Sequence, residues 1–359
     1  MRVAGWAIVA LLGLASLLFV WPSPIDSHAF VPGTLDPAFD PNTVLADGCE
    51  RISEGEVVHS DKLLVDESGR IFAGDETGRI HVLTPDGSGK YTRAVFAEPG
   101  GHPFELVSDG RGGLIGADHD GSHFHVDAAG QVERFDTLVG YEHGTAGVAV
   151  SRAGVLYYGA HPEGLLAGDP TGFMEMLAAH QASELRSFDP ATRVETTLAT
   201  GLFRPVGVEL SKDEDFVLVA EFFAYRVTRH WLAGPRAGTT DRFLDRLPGF
   251  VDGIGSNGHG TFYVSMPAYA PPFLASLHAR PFWKEQLAKV LPTLLRLGAG
   301  PQGGPGIVLA VDESGRILRT FQDPKGEIVP TITTAEIHAG HLYLGSITSD
   351  WIARCPIPE

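Results

Sequence analysis

The chain has 359 residues and carries 27 Lys and Arg against 44 Asp and Glu, a formal net charge of −17. So acidic a surface is a poor partner for nucleic acid, whose phosphates demand basic groups. Hydrophobic residues make up 43% and charged residues 20%, enough to bury the core of one large domain or two modest ones and too apolar for a disordered chain.

After Arg2, residues 3–21 are apolar or small throughout, with no charge before Asp26 and no further Lys or Arg before Arg51. About 20 such residues are what a bilayer core requires, and the single early positive charge predicts a cytoplasmic N-terminus with the rest of the chain outside. A cleaved signal peptide is the competing reading, although no A-x-A-like site follows the run at the usual distance. The resulting layout is a signal anchor or signal peptide at 1–25, a Pro/Asp/Gly-rich linker at 26–42 and one domain at 43–359. That domain opens on a strand candidate at residues 43–46.

Beyond it one pattern recurs. Residues 63–74 (LLVDESGRIFAG) are an apolar strand, an acidic turn with glycine and a second strand. Related stretches lie at 106–117, 147–159, 207–220 and 253–264, and a shortened form at 337–345. Six units at spacings of roughly 40 residues or more, with about four strands each, predict an all-β fold, a six-bladed β-propeller around a central channel. The last unit supplies only three strands, so the N-terminal strand is expected to close it. Cys49 and Cys355 would then lie across that closure, either as a disulfide or as two separate buried thiols. Two helical insertions, at 170–184 and 281–297, interrupt the blades, the second broken by Pro292. The second could be a lid, a membrane-resting face or simply packing on the propeller edge.

Residues 204–254, which begin RPVGVELS and include EFFAYR and LPGFVDGI, closely resemble the conserved region of strictosidine synthase-like proteins. RPFW at 280–283 and GHLYLGS at 340–346 match the adipocyte plasma membrane-associated branch of that family. The resemblance implies a six-bladed propeller, and its branch carries an N-terminal membrane anchor. Related gluconolactonases and paraoxonases hold calcium with Glu, Asn, Asn and Asp. Their motifs fall here on Asp61, Ala146, Val206 and Asp252, of which two are apolar, and the chain's only asparagines are Asn42 and Asn257. Calcium takes six to eight oxygens, so it is possible but disfavoured and no other cofactor is expected, although the histidines could assemble a different metal site. The family's catalytic glutamate falls on Thr333 or Thr334, with Glu336 just beyond, which argues against strictosidine synthesis.

Fifteen histidines remain. His119, between Asp118 and Asp120, resembles the general-base histidine of paraoxonase-like esterases, where a neighbouring carboxylate would raise its basicity. His143 lies three residues before Ala146. Asp61, Asp252, His102, His143 and Arg204 are expected at the channel mouth, either as a polarising site or as a self-satisfied ionic network. No GxSxG elbow, HExxH helix, P-loop or dinucleotide fingerprint is present. Two functions follow. In one, a membrane-anchored propeller hydrolyses esters or lactones with His119 or His143 as base and Asp61 or Asp252 in support. In the other, a catalytically silent propeller binds a small ligand or a protein partner.

Overall fold

The computed structural model describes residues 19–55, 61–75, 77–101, 103–118, 122–135, 145–161, 172–296 and 304–358. Strand β1 is Glu50–Ile52. Blade one comprises β2 (Leu63–Val65), β3 (Ile71–Gly74), β4 (Ile80–Pro85) and β5 (Tyr91–Ala97). Blade two comprises β6 (Pro103–Ser108), β7 (Leu114–Asp118), β8 (His123–Val126) and β9 (Val132–Phe135). Blade three is β10 (Thr145–Val150), β11 (Leu156–Ala160), β12 (Ser183–Asp189) and β13 (Val194–Leu202). Blade four is β14 (Pro205–Leu210), β15 (Phe216–Glu221), β16 (Arg226–Trp231) and β17 (Thr240–Leu244). Blade five is β18 (Ile254–Ser256), β19 (Thr261–Met266), β20 (Gly306–Asp312) and β21 (Ile317–Asp323). Blade six is β22 (Ile332–His338), β23 (His341–Ser346) and β24 (Ile352–Pro356), completed by β1.

Each blade is an antiparallel sheet whose strands follow chain order, except that β1 pairs with β24 from the far end of the chain. The first strand of every blade packs beside the first strand of the next, and β22 returns to β2, so the ring closes. The reason lies in alternation along the strands. In β15, Phe216, Leu218 and Ala220 join the core shared with blade five, while Val217 and Val219 join the core shared with blade three. A strand covered on both faces reads as a continuous apolar run rather than an alternating one. Comparable cores fill the seams between every other adjacent pair of blades.

The acidic hairpin turns explain much of the Asp content. Asp66 Oδ1 accepts hydrogen bonds from the backbone N–H of Ser68 and of Arg70, both at 2.9 Å, and Gly69 takes the left-handed conformation the turn requires. Asp75, Asp86, Asp109, Asp127 and Asp312 do the same two and four residues on, and Asn257 shows that the amide serves as well.

The closing strand lies further along the chain than the sequence reading put it. Residues 43–46 fall at the start of helix α1 (Val44–Gly48), where Asp47 N–H donates to Thr43 O at 2.9 Å and Leu45 is fully buried. A short apolar run does not distinguish a strand from one helical turn, and packing of Leu45 against blades five and six decides. Cys49 and Cys355 form the expected disulfide, 306 residues apart in sequence.

Contacts separate this propeller (Leu35–Gly164, Gln181–Ala270, Gly303–Glu359) from a second compact unit drawn from Met1–Thr34, Leu165–His180 and Pro271–Gln302. Within the second unit lie α2 (Phe173–Ala178), α3 (Pro272–His278) and α4 (Pro281–Arg296). Helix α4 runs through Pro292 instead of breaking there. Proline forfeits one backbone bond, and packing of α4 on α2 and α3, with Ala288 fully buried, holds the helix. The segment before α2 is strapped to it: Ser27 Oγ donates to Leu177 O at 2.7 Å and His28 N–H to Ala178 O at 2.8 Å. Among the described residues no helix is long and apolar enough to cross a membrane; most of the apolar run at 3–21 lies outside them.

Loss of the disulfide in a Cys49→Ser/Cys355→Ser variant is expected to lower stability by about 2–5 kcal/mol. Thermal unfolding of variant and parent measures it. An unchanged midpoint would mean that strand pairing alone closes the ring.

Candidate functional site

The first strands of the blades line the channel, and several begin with a bulge: the pairing registers slip between Pro103 and Glu105, Ala146 and Val148, Pro205 and Gly207, and Ile332 and Thr334. A bulge re-aims the neighbouring side chain. At the end of blade one nearest this rim, the Lys62 ammonium reaches the neighbouring blade six and the start of blade five. Its Nζ donates to Asp252 Oδ1 at 2.5 Å and to Thr333 O at 3.0 Å. Both Lys62 and Asp252 are buried.

Neighbouring groups hold this pair in place. Ser265 Oγ lies 3.0 Å from Thr333 O and 3.1 Å from Gly253 O. Thr333 Oγ1 and Thr334 Oγ1 both donate to Asp61 O, at 2.6 and 2.9 Å, which ties blade six to blade one. Gly253 is required here: a Cβ would come within 2.4 Å of Thr333 O and 3.2 Å of the Lys62 nitrogen. Asp61 Oδ1 is buried without a hydrogen-bond partner among the described residues.

The electrostatics follow from burial. Burial alone opposes a charge on Lys62, but the carboxylates of Asp252, Glu105 and Asp61 outweigh it and hold the ammonium above its usual range. Burial pushes Asp252 up to about 6, against the pull of Lys62. Glu105, whose Oε2 accepts from Gly147 N–H at 3.2 Å, is pushed up to about 8, again by burial first. Glu209 on β14 and Glu336 on β22 keep some surface towards the channel, yet enclosure also raises each to about 8, with mutual repulsion adding to it for Glu336. The channel therefore combines one secure cation with carboxyl groups of which some are neutral acids near pH 7.

Of the residues singled out from sequence, Asp61, Asp252 and Arg204 come together here: Arg204 is close enough to lower Asp252 and to depress His161. His161, half-buried, is held neutral by burial and by Arg204, with its value near 3; its Nδ1 lies 3.2 Å from Ser183 Oγ. His102, His119 and His143 lie outside the described residues. The histidines that follow His119 have structural surroundings: His123 is fully buried beside the Tyr158 ring, and His125 Nε2 meets Asp109 Oδ2 at 2.9 Å in a hairpin turn. Asp118 is bound by Arg134 at 3.2 Å.

Sequence reasoning passed over Lys62, Glu105, Glu209 and His161. The available signal was position. Lys62 follows Asp61, and Glu105 and Glu209 sit on strands that are otherwise mostly apolar, where an unpaired charge has no reason to be buried. Glu336 lies two residues past Thr334 and so shares its side of the strand.

The family resemblance implies calcium, and the residues do not fit it. Asp252 is bonded to the Lys62 ammonium, position 146 is alanine, and Val206 packs into the core between blades four and five. Calcium requires six to eight oxygens. No step below is routed through a metal.

The carboxyl groups at about 8 stand above their ordinary value of 4.5. Between these limits the folded chain binds more protons than the unfolded one, so this stability is complete below about pH 4.5 and is lost as pH rises towards 8. Glu209→Gln and Glu336→Gln are expected to flatten that decline in urea unfolding between about pH 5 and 8. An unaltered slope would remove both groups from the enclosed channel.

Known proteins share parts of this sequence and its fold. The strictosidine synthase family pattern matches residues 169–235. The bovine (Bos taurus) adipocyte plasma membrane-associated protein is 37% identical over 174 residues, 47% of this chain and 42% of that protein. The alignment thus spans less than half of that relative. The mouse (Mus musculus) protein of the same name is 28% identical over 368 residues, covering 96% of this chain and 86% of its own. Among solved structures, a gluconolactonase from Xanthomonas campestris superimposes with a TM-score of 0.61 at 16% identity, covering 94% of this chain and 99% of that chain. At such identity the likeness concerns the fold alone.

Proposed function

From the premise that this chain is a strictosidine synthase-like six-bladed propeller, we propose that it hydrolyses carboxylic esters or lactones at the mouth of its channel. The observation that carries this reading is the buried Lys62–Asp252 pair, a fixed N–H donor 2.5 Å from a carboxylate with near-neutral acidity. The gluconolactonase likeness supports the reaction class by analogy only. Asp252 takes a proton from water as the water oxygen bonds to the carbonyl carbon, and Lys62 donates an N–H to the oxyanion that develops. Collapse breaks the bond to the leaving oxygen, and Asp252 returns the proton to it. A lactone opens to a hydroxy acid in the same way. His119 or His143 as base is the competing assignment within this reaction.

Asp252→Asn is expected to lower kcat/KM on aryl esters or lactones by about 10²–10⁴, in protein shown by its melting curve to be folded. The parent's rate should rise with pH through about 6, where Asp252 ionises. Turnover that survives Asp252→Asn but not His119→Ala or His143→Ala would move the base to a histidine. A second reading, a silent channel that binds a small ligand or a protein, is favoured by the way Lys62 and Asp252 satisfy each other. It is the outcome if the parent turns over nothing on a broad panel.

We also propose that residues 3–21 anchor the chain as a single pass, with the propeller on the extracytoplasmic face. Three observations support it. The disulfide belongs to an oxidising compartment. The relatives are named for the plasma membrane. In the helical unit, Phe19, Trp21, Phe273, Phe282 and Trp283 are exposed, with Phe19 stacked on Phe282 at 6.0 Å, the kind of aromatic set favoured at a membrane interface. Protease added to sealed vesicles should spare the propeller when its extracytoplasmic face is enclosed and digest it when that face is outward. The reverse pattern would overturn this topology.

A further inference from the structure

We propose that the Lys62 ammonium stands where a propeller of this type would hold a divalent cation, so that the channel carries its own covalently tethered cation and takes no calcium. This does not rest on the hydrolase reading, because cation binding is measured directly.

The geometry supplies the first argument. The nitrogen makes two short contacts of the kind a cation makes, to a carboxylate oxygen of Asp252 at 2.5 Å and to the carbonyl of Thr333 at 3.0 Å. These oxygens come from the first strand of blade six and from the start of blade five, whereas the lysine belongs to blade one, so one side chain ties together three successive blades. Gly253, opposite, leaves the room: a side chain there would begin 3.2 Å from the nitrogen. An ion placed among the same oxygens would sit within a few ångströms of the ammonium, where like charges repel strongly in a low-dielectric interior.

The donor set supplies the second. Of the four positions at which the resemblance expects oxygen ligands, Ala146 and Val206 offer no side-chain oxygen. The hydroxyls of Thr333 and Thr334 are directed to the Asp61 carbonyl and not into the centre of the site. Two aspartates, one glutamate and the Thr333 carbonyl, which also accepts from Ser265 and Gly253, would hold calcium only weakly, so that one ammonium is enough to keep it out.

Charge balance supplies the third. Asp61, Asp252 and Glu105 all act on Lys62. An ammonium brings one positive charge where calcium brings two, and burial pushes the neighbouring Glu105 up to about 8, so that its carboxyl adds little negative charge for the single ammonium to balance.

The test is calcium titration of the purified full-length chain, by calorimetry and by thermal unfolding with calcium or with a chelator. The parent should show no calcium uptake that depends on Asp252 and a midpoint that neither reagent moves. Lys62→Ala leaves Asp61, Glu105 and Asp252 around an unneutralised space, so it should melt lower than the parent in chelator, recover in calcium, and bind calcium at least tenfold more tightly than the parent. Lys62→Arg, which keeps the charge, should remain indifferent to calcium. Calcium binding by the parent that Asp252→Asn abolishes would overturn the proposal, as would a Lys62→Ala response no larger than the parent's. If Lys62→Ala does not fold, the parent titration with its Asp252→Asn control decides the question alone.

Discussion

The constraint on which this molecule depends is that its sheets must close into a ring. Each interior seam is an apolar core shared by two adjacent blades, so every blade needs a neighbour on both sides. An open arc would leave two sheet faces in water, a cost that burial of the last seam removes. The last seam, between blades six and one, is built from Ile52, Leu63, Ile71, Tyr343 and Ile352, residues from opposite ends of the chain. Strand β1 makes that possible by adding to β24, and the disulfide beside it makes the addition hard to undo.

Closure also creates the site. Once first strands from all six blades face a common axis, whatever they carry at the rim is brought together from residues as far apart as Lys62 and Thr333. Glycine at 147, 207 and 253 lets the backbones of neighbouring blades approach. The charged groups cannot be hydrated separately inside a narrow channel. They answer one another: a lysine against an aspartate, glutamates that retain protons, and a histidine kept neutral by burial and by a nearby arginine. A buried pair of this kind contributes little net stability, since desolvation offsets much of the attraction, but losing one partner is costly. Its value lies in holding a cation and a carboxylate at fixed positions.

The histidines show the opposite case. The candidate bases His119 and His143 lie outside the described residues, while of the histidines that follow His119, His123 lies buried against an aromatic ring and His125 meets Asp109 of a hairpin turn. A histidine next to an aspartate in sequence has the same local appearance whether it braces a turn or activates water. Only the third dimension separates the two, because the distinction rests on what lies across the channel or across the hairpin.

Particular residues show how far the sequence went. The D-x-x-G turns and their flanking apolar runs are local: each Asp bonds backbone two and four residues away, so the repeat, the blade count and the pairing of Cys49 with Cys355 were legible without coordinates. The exact closing strand was not, because one short apolar stretch serves equally as a helical turn until Leu45 finds its core. Nor was the central cation. Lys62 is an ordinary charged residue beside an aspartate until ring closure carries Asp252 and Thr333 to within hydrogen-bonding distance. The sequence by itself determined the blades, since their turns and strand faces are set by neighbours along the chain. The tertiary structure alone decided which charged groups meet in the channel, since the burial and inter-blade distances that hold Lys62 charged and push Asp252 and Glu105 up are recorded in no local pattern.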